Sequence, residues 1–333
     1  PPTGAPRALF ALPRDGVEED FFALPWPTDL RRTAEGTIDL TGFPNPRRNP
    51  FVERYVEAAT ETLDGYGNNG AIYFRFSHSV DVESLPPRAQ STLVDGAGVF
   101  LVDVDPASPT RGERHPVVVH YQDCPTRFWS ARTLALRPVY GRPLASRRRY
   151  AAVVTRKIRP AEGGTFGRSP DFDALLAGGG DGAVDAARAA YGDALDALAT
   201  AGVDLDTVLA VAVFTTQDAI GETLAIRDWL VREYPAPEVR TATVGVDRSA
   251  PRFVEISGAY GPSPIFQAGD LPYLQPADGG AIELDADGQP VVHGAFDARF
   301  SLMIPKRAMP EAGYPVVLYA HGTGGDYRSY RSV

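Results

Sequence analysis

The chain has little cysteine and no long apolar run. Cys124 is the single cysteine among 333 residues, so no disulfide can form within the chain. Because the sequence places no base beside Cys124, we interpret it as a small buried residue rather than a nucleophile. No apolar stretch approaches the length of a membrane span, so no membrane-spanning helix is predicted.

Lysine is also scarce, and acidic residues outnumber basic ones. The formal net charge is −9, and Lys157 and Lys306 are the only lysines. This acidic balance argues against a nucleic acid or an anionic membrane surface as the main partner. His78, His115 and His120 lack a carboxylate or cysteine cluster at metal-ligand spacing, so no metal site and no cofactor are predicted.

The sequence also lacks a Gly-x-Ser-x-Gly motif, the sharp turn on which many hydrolases carry a nucleophilic serine. In the nearest matches, Gly167-Arg168-Ser169-Pro170 and Gly261-Pro262-Ser263-Pro264, proline stands where the turn would continue. A threonine nucleophile at Thr215 or Thr216 is disfavoured, because no base or terminal amine is placed near either residue. No nucleophile is therefore predicted in this chain.

Glycine and proline, by contrast, are abundant. The chain has 33 Gly, 30 Pro and 44% hydrophobic residues, which together predict a turn-rich β architecture in two or three domains. The run Pro1-Pro2-Thr3-Gly4-Ala5-Pro6 is typical of a linker left by processing or of a tether. We therefore also predict that the N-terminus tethers the protein to a membrane surface.

Composition and pattern divide the chain into four segments. Residues 1–48 form an extended leader rich in aromatics and proline, whose rings we expect to pack into a core. Residues 49–160 contain short strands separated by turns, which fit a β-sandwich. Residues 161–238 predict a helical bridge with one buried strand, and residues 239–333 return to strands.

Capping and turn residues place individual elements. Asn49 with Pro50 predicts the start of one helix, Gly202 the end of a second, and Gln217-Asp218 the start of a third. Asp287-Gly288 predicts a hairpin turn. The strands predicted from apolar runs before this turn are Ile72–Phe76, Val99–Val104, Pro116–Tyr121, Ser130–Leu136, Tyr150–Thr155 and Val208–Phe214.

The last stretch of sequence joins an apolar run to a glycine-rich turn. The unbroken run Tyr314–Ala320 predicts a strand buried on both faces. It leads into His321-Gly322-Thr323-Gly324-Gly325, where glycines allow a sharp turn and leave backbone N–H groups uncovered. A plain glycine-rich turn after a core strand is the alternative interpretation of the same residues.

This strand and loop resemble the HG-x-G oxyanion loop of α/β-hydrolases. Phe22–Leu30 resembles the opening of secreted bacterial lipases of the virulence-factor type, and Phe76–Asp81 and Arg137–Thr155 resemble bacterial Ig-like domains. The resemblance implies a mixed α/β fold: an N-terminal Ig-like β-sandwich over 49–160, a helical bridge, and the first strands of an α/β-hydrolase sheet over 239–333.

For function, the resemblance implies part of a secreted or cell-surface bacterial serine ester hydrolase of lipase or carboxylesterase type. Backbone N–H groups around Thr323 and Gly324 would stabilise the oxyanion, while His321 would shape the loop. The serine, acid and base would come from beyond Val333 or from another chain. The implied partners are a C-terminal hydrolase portion and an ester or lipid substrate, and this segment alone is expected to be inactive.

A second hypothesis explains the missing nucleophile equally well. The chain would then be a non-catalytic extracellular binding or structural module whose hydrolase-like tail has degenerated. A Gly-x-Ser-x-Gly motif in an associated polypeptide would favour the enzyme.

Overall fold

The structure, a computed structural model, describes residues 4–14, 20–127, 129–273 and 276–332. Helices make up 24% and strands 28% of the chain. The chain therefore mixes helices with sheets, as the sequence predicts, and the described sheets are built from antiparallel strand pairs.

The first of two compact units, Pro1–Ala219, contains two sheets. Their strands are β1 Ile72–Arg75, β2 Val99–Asp103, β3 Arg114–His115, β4 Val117–Gln122, β5 Thr133–Pro138, β6 Arg149–Thr155 and β7 Val208–Thr215. A three-stranded sheet has the spatial order β1–β5–β4, and a four-stranded sheet has the order β3–β2–β6–β7. All six strands predicted for this part of the chain are present, with small shifts at their ends.

The four-stranded sheet is apolar on both faces because each face is covered. Leu101 and Ala152 belong to a core shared with the three-stranded sheet, which contributes Phe74. Their neighbours Phe100 and Val153 point the other way, into a second core. Alternate side chains of a strand face opposite sides, so continuous apolar runs such as β7 fit only between two layers.

The helices of this unit are α1 Pro50–Thr62, α2 Pro170–Ala177 and α3 Gly182–Thr200. Of these, α2 and α3 cover the outer face of the four-stranded sheet. Helices α2 and α3 contribute Phe172 and Tyr191 to the second core, and both side chains are fully buried. Helix α1 begins as predicted, with the Asn49 side chain accepting from the Phe51 N–H and Pro50 at its first position.

The leader packs into both cores, as the sequence predicts. Phe10 is buried in the second core and Phe21 in the first. Its backbone makes single β-bridges to the sheet unit, pairing Ala8 with Phe76 and Trp26 with Tyr73. These aromatic rings are therefore structural anchors, and the leader is part of the first unit.

The predicted boundaries at 160 and 238 differ from the structure, which divides after Ala219. Strand β7, expected in a separate helical bridge, pairs with β6 along its whole length, from Arg149 opposite Thr215 to Thr155 opposite Val208. A strand bonded along its length to its neighbour cannot leave that sheet, so the bridge and the sandwich form one unit.

The second unit, Ile220–Val333, centres on a long antiparallel pair. Its elements are α4 Gly221–Arg232, β8 Glu238–Val239, β9 Gly245–Asp247, β10 Phe253–Ile265, β11 Gln267–Gly269, β12 Gly279–Ile282 and β13 Gly294–Pro305. Strands β10 and β13 pair over most of their length, and β8 and β9 both pair with β10. The Asp287-Gly288 turn is confirmed, with the Gly288 N–H donating to the Asp285 carbonyl at 2.9 Å.

The predicted helix start at Gln217-Asp218 is wrong, since α4 begins at Gly221. The Gln217 N–H donates to the Tyr66 carbonyl at 2.8 Å, and the Asp218 carboxylate pairs with Arg147 at 3.1 Å. Both residues thus contact partners in the first unit.

The predicted strand Tyr314–Ala320 is also absent: no strand is assigned to this stretch. Val316, Val317 and Leu318 are 88%, 86% and 95% exposed, so the run is not buried on either face. A strand needs a hydrogen-bonded neighbour, and none of the described strands pairs with this run. Its apolar side chains, like Phe296 of β13 at 51% exposure, lie outside both hydrophobic cores.

Candidate functional site

The predicted loop His321–Gly325 closes a tight turn. The Gly325 N–H donates to the Gly322 carbonyl at 3.0 Å, and Gly324 has a φ of +80°. A positive φ at the third position of a four-residue turn is what a type II turn requires, and glycine adopts it without strain. The glycine at 324 therefore sets the shape of the loop.

The turn leaves two backbone donors uncommitted. Within the described part of the chain, the N–H groups of Thr323 and Gly324 have no protein acceptor, and both residues are exposed. The Gly325 N–H is already used by the turn. Of the five residues predicted for the site, Thr323 and Gly324 thus carry adjacent, exposed N–H groups without a protein acceptor among the described residues.

His321 contacts the backbone of the same loop. Its Nδ1 lies 3.0 Å from the Gly322 carbonyl oxygen. Because a carbonyl oxygen only accepts, this contact requires the hydrogen on Nδ1. This contact joins the imidazole to the backbone of the next residue.

The segment after the loop is anchored to the β10–β13 pair. Glu255 on β10 has a side chain that is 2% exposed, and its Oε1 accepts from Arg328 Nε at 2.7 Å and from Ser301 Oγ at 2.7 Å. Arg331 Nη1 lies 3.3 Å from Glu255 Oε2, and the Tyr330 hydroxyl is 2.8 Å from Ser301 Oγ. The Ser301 hydrogen bond, and then Arg328, hold the pKa of Glu255 below its ordinary value despite burial. The carboxylate is therefore charged, and it holds the segment that follows the loop against β10.

A serine also lies beside the loop, and its hydroxyl donates to the Asp326 carboxylate at 3.5 Å rather than to a histidine. Ser329 Oγ accepts from the Asp326 N–H at 2.8 Å, and the Arg328 N–H donates to the Asp326 carboxylate at 2.8 Å. No hydrogen bond joins Ser329 to His321 among the residues that the structure describes. These contacts stabilise a local turn at residues 326–329, and they do not pair a nucleophilic serine with a histidine base.

Sequence reasoning missed Glu255, Ser301 and Arg328. The one signal available was an acidic residue inside an otherwise apolar strand, Phe253-Val254-Glu255-Ile256. Such a residue needs a partner if it is buried, but the sequence does not say which of the many arginines supplies it.

The remaining candidate residues do not assemble a second site. Cys124 is exposed, so its interpretation as a buried residue is wrong; it follows the end of β4 in a turn, outside both cores. The His115 Nε2 lies 2.9 Å from the Arg142 carbonyl oxygen, and burial lowers the pKa of this histidine. In the described ranges, no group of three or more His, Cys, Asp or Glu side chains is arranged to hold a metal ion.

Comparison with known proteins assigns no family. No protein-family model and no curated protein match the chain. Domains 1–6 of the surface layer protein SbsC match with 9% sequence identity and a TM-score of 0.22, over 77% of this chain and 35% of that structure. A likeness this weak supports no conclusion about fold or function. Within the described residues, every helix is too short or too polar to cross a membrane.

Proposed function

We propose that the chain is the N-terminal part of a secreted or cell-surface serine ester hydrolase, of lipase or carboxylesterase type, and that it contributes the oxyanion loop. The free N–H groups of Thr323 and Gly324 carry this proposal. In acyl transfer such donors stabilise the oxyanion of the tetrahedral intermediate. The Ser-Asp-His triad belongs to a C-terminal hydrolase portion, on the same or a cleaved chain.

Three features of the second unit support an incomplete site. The donors are exposed, the apolar residues Val316–Leu318 lie uncovered beside them, and Glu255 holds the far end of the segment in place. Backbone donors stabilise charge best where water is excluded, so a covering partner would complete the loop's environment. We propose that Val316–Leu318 pair with strands of that partner as part of an α/β-hydrolase sheet, and that the first unit is an Ig-like sandwich.

The test is labelling of the natural protein with a fluorophosphonate, which reacts with activated serines. We expect a labelled serine in a polypeptide that co-purifies with, or is continuous with, residues 1–333, and no label or esterase activity in residues 1–333 alone. Labelling of a serine within this chain would contradict the proposal.

The alternative is a non-catalytic extracellular binding or structural module. Within the residues that the structure describes, no serine–histidine pair stands beside the loop, and both candidates expect this. Absence of label and esterase activity from the whole natural protein would favour this module over the enzyme.

A further inference from the structure

A cavity of about 340 Å³ lies in the first unit, at one end of the four-stranded sheet. It opens where β2 begins, β6 ends and β7 begins, between the turn at Gly96 and residues 202–207. Its volume falls at the lower end of the range for small-molecule sites, which is roughly 300–1,000 Å³. It is separate from the candidate oxyanion loop, which belongs to the second unit.

Part of the cavity wall is apolar. Ala97, Phe100 and Val203 line it, and Phe100 belongs to the second core. The guanidinium carbon of Arg114 lies 4.1 Å from the centroid of the Phe100 ring. This contact places the guanidinium over the aromatic ring, so charge and apolar surface lie side by side.

Arg114 is only partly neutralised. Its side chain is 17% exposed, its Nη1 donates to the Val94 carbonyl, and its Nη2 lies 4.0 Å from the fully exposed carboxylate of Asp95. Burial lowers the pKa of Arg114, although arginine remains charged at neutral pH. The Arg114 guanidinium is partly removed from water, and its one counter-ion, Asp95, is distant and solvated. It can therefore bind another anion.

Two further cations line the same cavity. The side chains of Arg156 and Lys157 make no hydrogen bond or ion pair in the described part of the chain. The Lys157 Nζ lies against Gly96, where a Cβ atom would come within 2.3 Å of it, and Gly96 has a φ of +74°. Glycine at position 96 therefore leaves room for the ammonium group as well as allowing the turn.

The cations outnumber the acidic groups in the lining. The one carboxylate there, Asp204, accepts from the Asp206 N–H at 3.0 Å as a helix cap. Arg114, Arg156 and Lys157 thus line one cavity in a chain whose net charge is −9, and Arg156 and Lys157 are exposed. This group of positive charges attracts anions to the cavity although the protein as a whole is negatively charged.

We propose that this cavity binds a small organic anion. Arg114, Arg156 and Lys157 bind its phosphate or carboxylate group, and Ala97, Phe100 and Val203 contact its apolar part. The ligand is small enough to fill the cavity, on the scale of a single aromatic ring with one anionic substituent. This site is independent of the proposed ester hydrolysis.

Calorimetric titration of the full chain with phenyl phosphate tests the proposal, with inorganic phosphate and phenol as parallel probes. We expect saturable binding of phenyl phosphate, weaker binding of inorganic phosphate, and none of phenol. Equal binding of phenyl phosphate and inorganic phosphate, or no binding of phenyl phosphate, would overturn the proposal.

The matched variants are Arg156→Gln with Lys157→Gln, and the control Arg47→Gln with Arg54→Gln, which removes two exposed arginines elsewhere on the unit. Loss of bonds to charged groups should weaken phenyl phosphate binding roughly tenfold or more in the first pair and leave the control near wild type. Equal affinities in the two pairs would refute the site. Methyl NMR signals of Ala97 and Val203 should shift on titration, and unshifted signals would also refute it.

Discussion

Glu255 Oε1 and Arg328 Nε are 2.7 Å apart, and they join the start of β10 to the segment that follows the candidate oxyanion loop. Glu255 is 2% exposed, so replacing it with glutamine leaves an amide facing two cationic side chains, Arg328 and Arg331. We expect Glu255→Gln to speed amide hydrogen exchange over residues 326–331 by roughly tenfold, the effect of losing a bond to a charged group.

The matched control is Glu238→Gln on β8, an exposed residue of the same sheet. It should leave exchange over residues 326–331 unchanged. Equal exchange in wild type and Glu255→Gln would show that the anchor does not hold this segment.

Asp29 gives a prediction about pH in the first unit. Burial raises its pKa above the ordinary value, although Thr215 donates to it through both N–H and Oγ1, and Arg149 Nε lies 3.4 Å away. A carboxylate with a raised folded pKa binds more protons in the folded state, so its contribution to stability falls as pH rises from the ordinary value of about 3.9 towards the folded pKa.

The stability difference between wild type and Asp29→Asn isolates this contribution, because the other titrating groups are shared. The free energy of unfolding, measured with urea, is compared between wild type and Asp29→Asn. The value for wild type minus that for the variant should decrease as pH rises from about 3.9 to the folded pKa of Asp29 and then level off. Each unit of pKa elevation adds about 1.4 kcal/mol to the change. If this stability difference instead increases with pH, the contacts from Thr215 and Arg149 lower the pKa of Asp29 by more than burial raises it.

Asp171 should behave in the opposite way. Arg14 Nη2 donates to it at 2.8 Å and the Leu12 N–H at 2.7 Å, and the Arg14 hydrogen bond lowers its pKa. The contribution of Asp171 to the stability of the fold is present above the ordinary aspartate pKa. It is lost as pH falls through the lowered pKa of Asp171 in the folded protein. We expect Asp171→Asn to cost about 1 kcal/mol at neutral pH, since the pair is partly exposed, and progressively less below about pH 4. A cost that persists unchanged in acid would contradict this assignment.

Phe10 tests whether the leader is structural. Its ring centroid lies 5.0 Å from that of Phe172 and 6.2 Å from that of Tyr191, and its side chain is buried. Phe10→Ala should lower the free energy of unfolding by about 3–5 kcal/mol, through lost contact and a residual cavity. Phe51→Ala, at a ring that is 70% exposed, should change it by less than about 0.5 kcal/mol. Similar losses in both variants would argue against the leader's place in the core.

Local patterns predicted the first unit well. The alternation and apolar runs that identify β2, β6 and β7 are set by burial on two faces, and Asn49-Pro50 carries its own capping chemistry. The domain boundary was missed because pairing between β6 and β7 joins distant parts of the sequence. The contact between the Gln217 N–H and the Tyr66 carbonyl likewise joins residues far apart in sequence, and helix α4 begins only at Gly221.

The second unit shows where local pattern stops being sufficient. Tyr314–Ala320 has the composition of a buried strand, yet no described strand pairs with it and most of its apolar side chains are exposed. The turn at Gly322–Gly325 was predictable because glycine determines it locally. Its anchor was not, because the contact between Glu255 and Arg328 depends on tertiary placement.

The two N–H groups at Thr323 and Gly324 are the centre of the proposed function, and substitution can remove one of them without changing the turn. Thr323 is the second residue of a turn with a positive φ at its third, a position where proline is common, so Thr323→Pro deletes the N–H and retains the shape. Thr323→Ala deletes only the side chain and is the matched control.

The decisive measurement is kcat for ester hydrolysis by the natural protein and these two variants. Loss of one oxyanion donor should lower kcat by roughly 10²–10³-fold in Thr323→Pro, with Thr323→Ala close to wild type. Equal kcat in wild type and Thr323→Pro would contradict the assignment of this loop to oxyanion stabilisation.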